Sequence, residues 1–152
     1  MIRRILRSPV TIINLMSRQQ GKGLDTILVM EIIEVACRIV FGLQMVFWGL
    51  NGFFHWVKIP PSPSAIDNFV NACIETRFIM PSTKIAEIFL GALLIAGFAV
   101  PLTILLIAPI VFVITLLHLI HNPKPWGVVI PISLPYAVIV GFHLPAIFAR
   151  YF

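Results

Sequence analysis

Few side chains in this sequence can do chemistry, and most are histidines and amides set among apolar residues. Asn51 and His55 stand one helical turn apart, as do His118 and His121, and Glu87 falls between the two pairs. A carboxylate grouped with imidazoles and an amide can bind a polar head group, hold a proton or present hydrogen bonds to a carbonyl. Two histidines at one depth, such as His55 and His118, also meet the arithmetic of a bis-histidine haem, although one such pair is a weak signal. Arg38 and His143 are the other ionisable residues inside long apolar stretches. No Walker A loop, GxSxG, HExxH or glycine-rich dinucleotide fingerprint is present. Cys37 and Cys73 are far apart and form no CxxC, so neither a disulfide framework, a zinc site nor a paired-thiol motif is expected.

The elements that must position these residues follow from composition. Of 152 residues, 59% are apolar and 11% charged, which leaves too little polar surface to clothe a soluble body. That excludes a soluble enzyme, a disordered segment and a nucleic-acid-binding module, and points to an integral membrane protein. Three stretches lack Asp, Glu, Lys and Arg: 39–57, 88–123 and 125–149. A helix needs about 20 apolar residues to cross the hydrocarbon core, so the outer two stretches fit one span each. The middle stretch would be about 54 Å long as one helix and must fold back, with the hinge at GFAVP, Gly97–Pro101. The expected fold is all-α, a bundle of four transmembrane helices with spans near 37–57, 83–100, 102–121 and 127–149.

Two segments are not read as spans. Residues 1–23 carry Arg3, Arg4, Arg7, Arg18 and Lys22 without an acid, and the rest of the chain is balanced, so the net charge of +5 belongs to this leader. It is expected to be a basic cytoplasmic arm that meets anionic lipid, with 24–152 forming one membrane domain. Its apolar stretch is too short for a secretion signal. Between the first two spans, Ile66, Phe69, Val70, Cys73 and Ile74 recur at helical spacing opposite Asp67, Asn71 and Glu75. This predicts a short amphipathic helix lying along the membrane surface. Both termini then lie on the more basic side, the cytoplasmic face of a bacterial inner membrane.

With that orientation Asn51, His55, Glu87, His118 and His121 share a depth near the outer face, while Arg38 and His143 lie further in. Trp56 and Trp126 fit an aromatic belt at the outer level. Each member of the cluster has a structural reading as well. Glu87 can pair with Lys84, the two histidines can close a helix end, Asn51 can bridge helices, and Arg38 can reach lipid phosphate or Glu34. Gly42, Gly49 and Gly52 mark one small-residue face, and Gly91, Ala92 and Ala96 another, both suited to close helix packing. Pro109, Pro131, Pro135 and Pro145 should kink the last two spans.

The segments RIVFGLQMVFWGLNGFFHW and KIAEIFLGALLIAGFAVPLTILLIAPIVFVITLLHLIHNP resemble the DoxX family over about residues 35–150. The resemblance rests on Arg38, Gly42, Gly49, Asn51 and Gly52 in the first helix, Glu87 and Gly91 in the second, and Ala108, Pro109 and His118 in the third. It implies a four-helix membrane protein of the kind associated with quinone-linked sulfur oxidation, terminal oxidases and redox-stress enzymes. The missing CxxC separates this chain from relatives with paired thiols. Two functions are expected from this. One is an accessory subunit docked on other membrane subunits of a respiratory or redox assembly, without enzymatic activity, metal or resident cofactor of its own. The other is a quinone-linked redox subunit that uses the outer polar cluster.

The orientation is tested by cysteine accessibility in a chain whose Cys37 and Cys73 are serine. Ala65→Cys should react with an impermeant maleimide from outside and Gln20→Cys only from the cytoplasmic side; the opposite pattern would reverse the assignment.

Overall fold

A computed structural model of the chain describes the backbone of residues 9–151 and the side chains of residues 24–151. The five basic side chains of the leader lie outside the described side chains. Among the described residues the structure is helical throughout: α1 (Pro9–Phe54), α2 (Ser64–Glu75), α3 (Ile79–Ala96), α4 (Val100–His121) and α5 (Trp126–Tyr151). The chain divides into two units, Met1–Val35 and Ala36–Phe152. In the first, Leu24, Ile27, Leu28 and Ile32 of α1 are exposed. The remaining description concerns the second unit.

Helices α3, α4 and α5 are each long and apolar enough to cross a membrane, which makes this a multi-pass α-helical membrane protein. Their limits have local causes. The second expected span, 83–100, is instead Ile79–Ala96. Pro81 falls in the first turn of α3, where its missing N–H leaves no helical bond unmade. At the other end Gly97 takes the left-handed conformation with φ 69°. There Gly97 N–H donates to the Leu94 carbonyl and Phe98 N–H to the Leu93 carbonyl, a Schellman stop. Pro101 then opens α4, so the reversal occurs within the expected GFAVP hinge. The first expected span, 37–57, lies within α1 but overruns its end: the helix stops at Phe54, and His55 has φ 53°.

Glycine brings α1 and α3 together. A Cβ on Gly42 would stand 2.8 Å from the Gly91 carbonyl oxygen, and a Cβ on Gly91 would stand 2.8 Å from that of Gly42. Further along, a Cβ on Gly49 would approach the Lys84 carbonyl oxygen to 3.0 Å. Backbone therefore lies on backbone, as in small-residue packing of membrane helices. Ala92 and Ala96, expected on the same face as Gly91, are exposed.

Around this seam Phe41 and Met45 of α1 join Leu90 and Leu94 of α3, Ile104 and Ile107 of α4 and Ile139 of α5 in one core. The Phe41 and Tyr136 rings meet at 5.6 Å between centroids, and the Tyr136 hydroxyl donates to the Ile104 carbonyl at 3.0 Å. Thr115 of α4 and Ser133 of α5 share a hydrogen bond of 2.7 Å. Helix α2 packs on α3 and α4 through buried Ile66 and Cys73. Thr76 closes α2 by donating from Oγ1 to the Cys73 carbonyl, and it opens α3 by accepting from Ile79 N–H.

The seam predicts an asymmetry among glycines. Gly42→Ala forces backbone apart and should lower stability by about 1–3 kcal/mol. Gly141→Ala has nothing within 4 Å of the new methyl and should be neutral or stabilising, since alanine gains up to about 1 kcal/mol over glycine inside a helix. Thermal unfolding in detergent measures both; equal effects would show that the seam is not tight.

Candidate ligand-binding site

The chemistry is organised around a partly open cavity of about 330 Å³ lined by α2, α3 and α4. Lys84 and Glu87 line it from α3 and His118 from α4, with Ile66, Phe69, Val70 and Cys73 supplying the wall from α2. Pro109, Ile110, Val113 and Leu117 complete the α4 side. The lining is thus mostly apolar with a few polar groups at one place, the pattern of a small-molecule site.

Glu87 is 3% exposed, and its Oε2 accepts a hydrogen bond from Lys84 Nζ at 2.8 Å. The structural reading of Glu87 is therefore met, but both partners also face the cavity. Lys84 reaches this place because α1 leaves room: a Cβ on Gly52 would come within 2.7 Å of its Cγ and Cδ. The stem lies across the glycine while the ammonium turns to Glu87, so the apolar methylenes pack and the charge is paired. An ammonium has three donors, and one is spent on Glu87.

The other expected members are placed elsewhere. Asn51 is buried, but it closes the end of α1: its Oδ1 accepts from Val57 N–H at 2.7 Å and its Nδ2 donates to the Val57 carbonyl at 3.1 Å. That two-sided bond satisfies backbone that has left the helix, and it explains why the span ends before residue 57. His55 is exposed and donates from Nδ1 to the Phe53 carbonyl at 3.1 Å. Beside it the Phe54 and Trp56 rings stack at 5.0 Å. His121 is exposed in the last turn of α4. None of these three lines the cavity. His143 is half-buried in α5 and also lies outside the lining.

Arg38 has a role that neither of its sequence readings foresaw. Its Nη1 donates to the Leu94 carbonyl at 2.6 Å, and a Cβ on Gly97 would approach that nitrogen to 2.7 Å. The guanidinium therefore sits on the C-terminal end of α3, where the last carbonyls are exposed and a cation is favoured.

Sequence reasoning missed Lys84, Cys73 and Asn122 as site residues. The interrupted charge pattern around Lys84 and the cap position of Asn122 ahead of Pro123 were the available signals. Asn122 holds His118 by a hydrogen bond of 3.0 Å between its Nδ2 and the imidazole Nδ1. Among the described residues no three His, Cys, Asp or Glu side chains gather in a way that could hold a metal ion. Comparison with family models, curated proteins and solved structures finds no match to this chain.

Removing one member of the ion pair should cost more than removing both. Lys84→Met keeps the stem against Gly52 but leaves Glu87 buried without its cation, a situation that costs about 3–5 kcal/mol when both groups are fully buried and less here, where Lys84 is partly exposed. Adding Glu87→Gln should recover stability, with a coupling of about 0.5–3 kcal/mol in a double-mutant cycle by thermal unfolding. Strict additivity would mean that the pair does not interact.

Proposed function

We propose that the chain is a DoxX-like accessory subunit of a larger membrane redox assembly and that it holds a quinone-class ligand in the cavity between α2, α3 and α4. The observation that carries this reading is the lining: Lys84 and His118 offer hydrogen-bond donors at one place within otherwise apolar walls. A quinone needs that combination, because its ring and tail are apolar and its two carbonyl oxygens accept hydrogen bonds. Glu87 neutralises Lys84, so the donor set suits an uncharged head better than a carboxylate. The chain's own part is to bind and orient the ring; electrons would pass to or from redox groups of partner subunits.

In this proposal residues 37–54 form a fourth span, since their glycine face packs along α3. Four crossings leave both termini in the cytoplasm of a bacterial inner membrane, with the basic leader on anionic lipid. Helix α2 lies at the outer surface as an amphipathic element: Ile66 and Cys73 face inward, and Asn68, Asn71 and Glu75 are exposed. There it covers the cavity.

Purification from native membranes in mild detergent tests the proposal, with mass spectrometry of both proteins and small molecules. Quinone should be retained together with other subunits, and His118→Ala should reduce the retained quinone at least five-fold while the subunits still co-purify, about 1 kcal/mol being the worth of one hydrogen bond. Co-purifying subunits without quinone would leave only the accessory role, and a solitary chain without quinone would overturn both parts.

A further inference from the structure

His118 and Asn122 stand one turn apart at the end of α4, and the geometry fixes which imidazole nitrogen carries the proton. Lys124 N–H donates to Asn122 Oδ1 at 2.9 Å. A backbone N–H can only donate, so the atom facing it must be the amide oxygen, and the orientation of the Asn122 amide is settled. Its Nδ2, a donor only, is then turned to His118 Nδ1 at 3.0 Å. Nδ1 must accept, which leaves the proton of the neutral ring on Nε2. Among the described residues no hydrogen-bond partner is found for Nε2, and the ring lines the cavity.

Asn122 itself is held in place. It is the C-cap of α4, with extended backbone at φ −96° and ψ 120°, and its N–H donates to the His118 carbonyl. Pro123 follows and favours that extended conformation. The cap thus clamps His118 through both its backbone and its side chain, and Lys124 locks the clamp.

We infer that Asn122 is a positioning residue that fixes His118 as an Nε2–H donor to the cavity, so that the ligand atom facing His118 must accept a hydrogen bond. This assignment rests on the quinone reading and sharpens it: a carbonyl oxygen of the oxidised quinone is the atom turned to His118, and it accepts more strongly than the hydroxyl oxygen of the quinol, which is itself both donor and acceptor. Lys84 adds donors of the same sense, while Glu87, whose Oε2 accepts from Lys84, also lines the cavity and keeps acceptor capacity on its carboxylate.

Nitrogen-15 NMR of the full chain labelled at histidine reads the tautomer without any ligand, with His118→Gln identifying the signal. The wild-type ring should be neutral with a protonated Nε2 and an unprotonated Nδ1. Asn122→Leu should give a mixture of tautomers, and Asn122→Asp should move the proton to Nδ1, because a carboxylate accepts where the amide donated. A wild-type ring that is mixed, or protonated at Nδ1, would overturn the inference, and this measurement does not depend on either Asn122 variant folding. In parallel, binding of a short-chain benzoquinone and of its quinol is measured by equilibrium dialysis. Asn122→Asp should weaken quinone binding about five-fold, the worth of one hydrogen bond, with a smaller effect on the quinol, whose hydroxyl can donate to the unprotonated Nε2. Failure of the wild type to bind either form, with the Nε2–H tautomer intact, would defeat the quinone reading and leave the donor assignment standing. An equal loss for both forms in Asn122→Asp would defeat the assignment of a carbonyl oxygen to His118.

Discussion

The close approach of α1 and α3 along their glycine seam governs the placement of nearly every polar group described above. Gly42 and Gly91 set the separation, and the contacts on either side of them follow from it. Toward one end the seam places Arg38 on the last carbonyls of α3, above Gly97. Toward the other it lays the stem of Lys84 across Gly52, from where the ammonium reaches Glu87. A larger residue at Gly42 or Gly91 would separate the helices and lengthen both reaches. Since apolar association gains nothing over contact with lipid tails, fit of this kind is what holds membrane helices together. The two cations of the seam are thus consequences of its geometry, one closing a helix end and the other furnishing a cavity.

The second constraint is that polar groups set among apolar side chains find partners within the chain. Asn51 satisfies the backbone of Val57, Tyr136 adds a donor to the Ile104 carbonyl, and Thr115 with Ser133 satisfy one another. Thr103, buried at the start of α4, returns its hydroxyl to the Ala99 carbonyl. Among the described residues Gln44 Oε1 is a buried side-chain atom without a partner. These pairings are short in sequence or cross between adjacent helices, so each can form when its two elements meet. The cavity residues Lys84 and His118 differ in kind: each retains hydrogen-bonding capacity after its internal bond is made.

The sequence carried the elements, and an expected common level of the polar residues was insufficient to define the site. Charge-free stretches located α3, α4 and α5 to within a few residues, and the GFAVP hinge is legible because glycine and proline have fixed backbone consequences. The small-residue face was legible at Gly42, Gly49 and Gly91, where helical spacing repeats. Which residues converge was not. Asn51, His55, Glu87 and His118 can share a level in a bundle and still point in different directions, because azimuth is set by packing and not by distance along the helix. Glu87 and His118 turn to one cavity; Asn51 turns to its own chain end and His55 is exposed. The Arg38 contact was illegible for a related reason: its partner is a main-chain carbonyl 56 residues away, identified only by how α1 crosses α3.

The position of the cavity follows from how α4 is built. Pro109 has no N–H to offer the Leu105 carbonyl, so the helix loses one rung of its ladder where it lines the cavity. In lipid a freed carbonyl must be met by neighbouring groups or by a local change in the helix, and the carbonyl next to it in sequence, that of Ile104, accepts from Tyr136. Helix α4 is therefore bound to α5 on one side of the interruption, while its other side faces the gap that α2 covers. The cover is a short helix joined to α3 through Thr76 and the left-handed Arg77, φ 62°, rather than by an extended loop. A rigid seam behind Lys84, a bonded helix pair behind His118 and a short helix in front together create a space whose polar groups are held by structure outside it. Lys84 and His118 are thus held by contacts within the chain, and neither depends on an occupant of the cavity for its position.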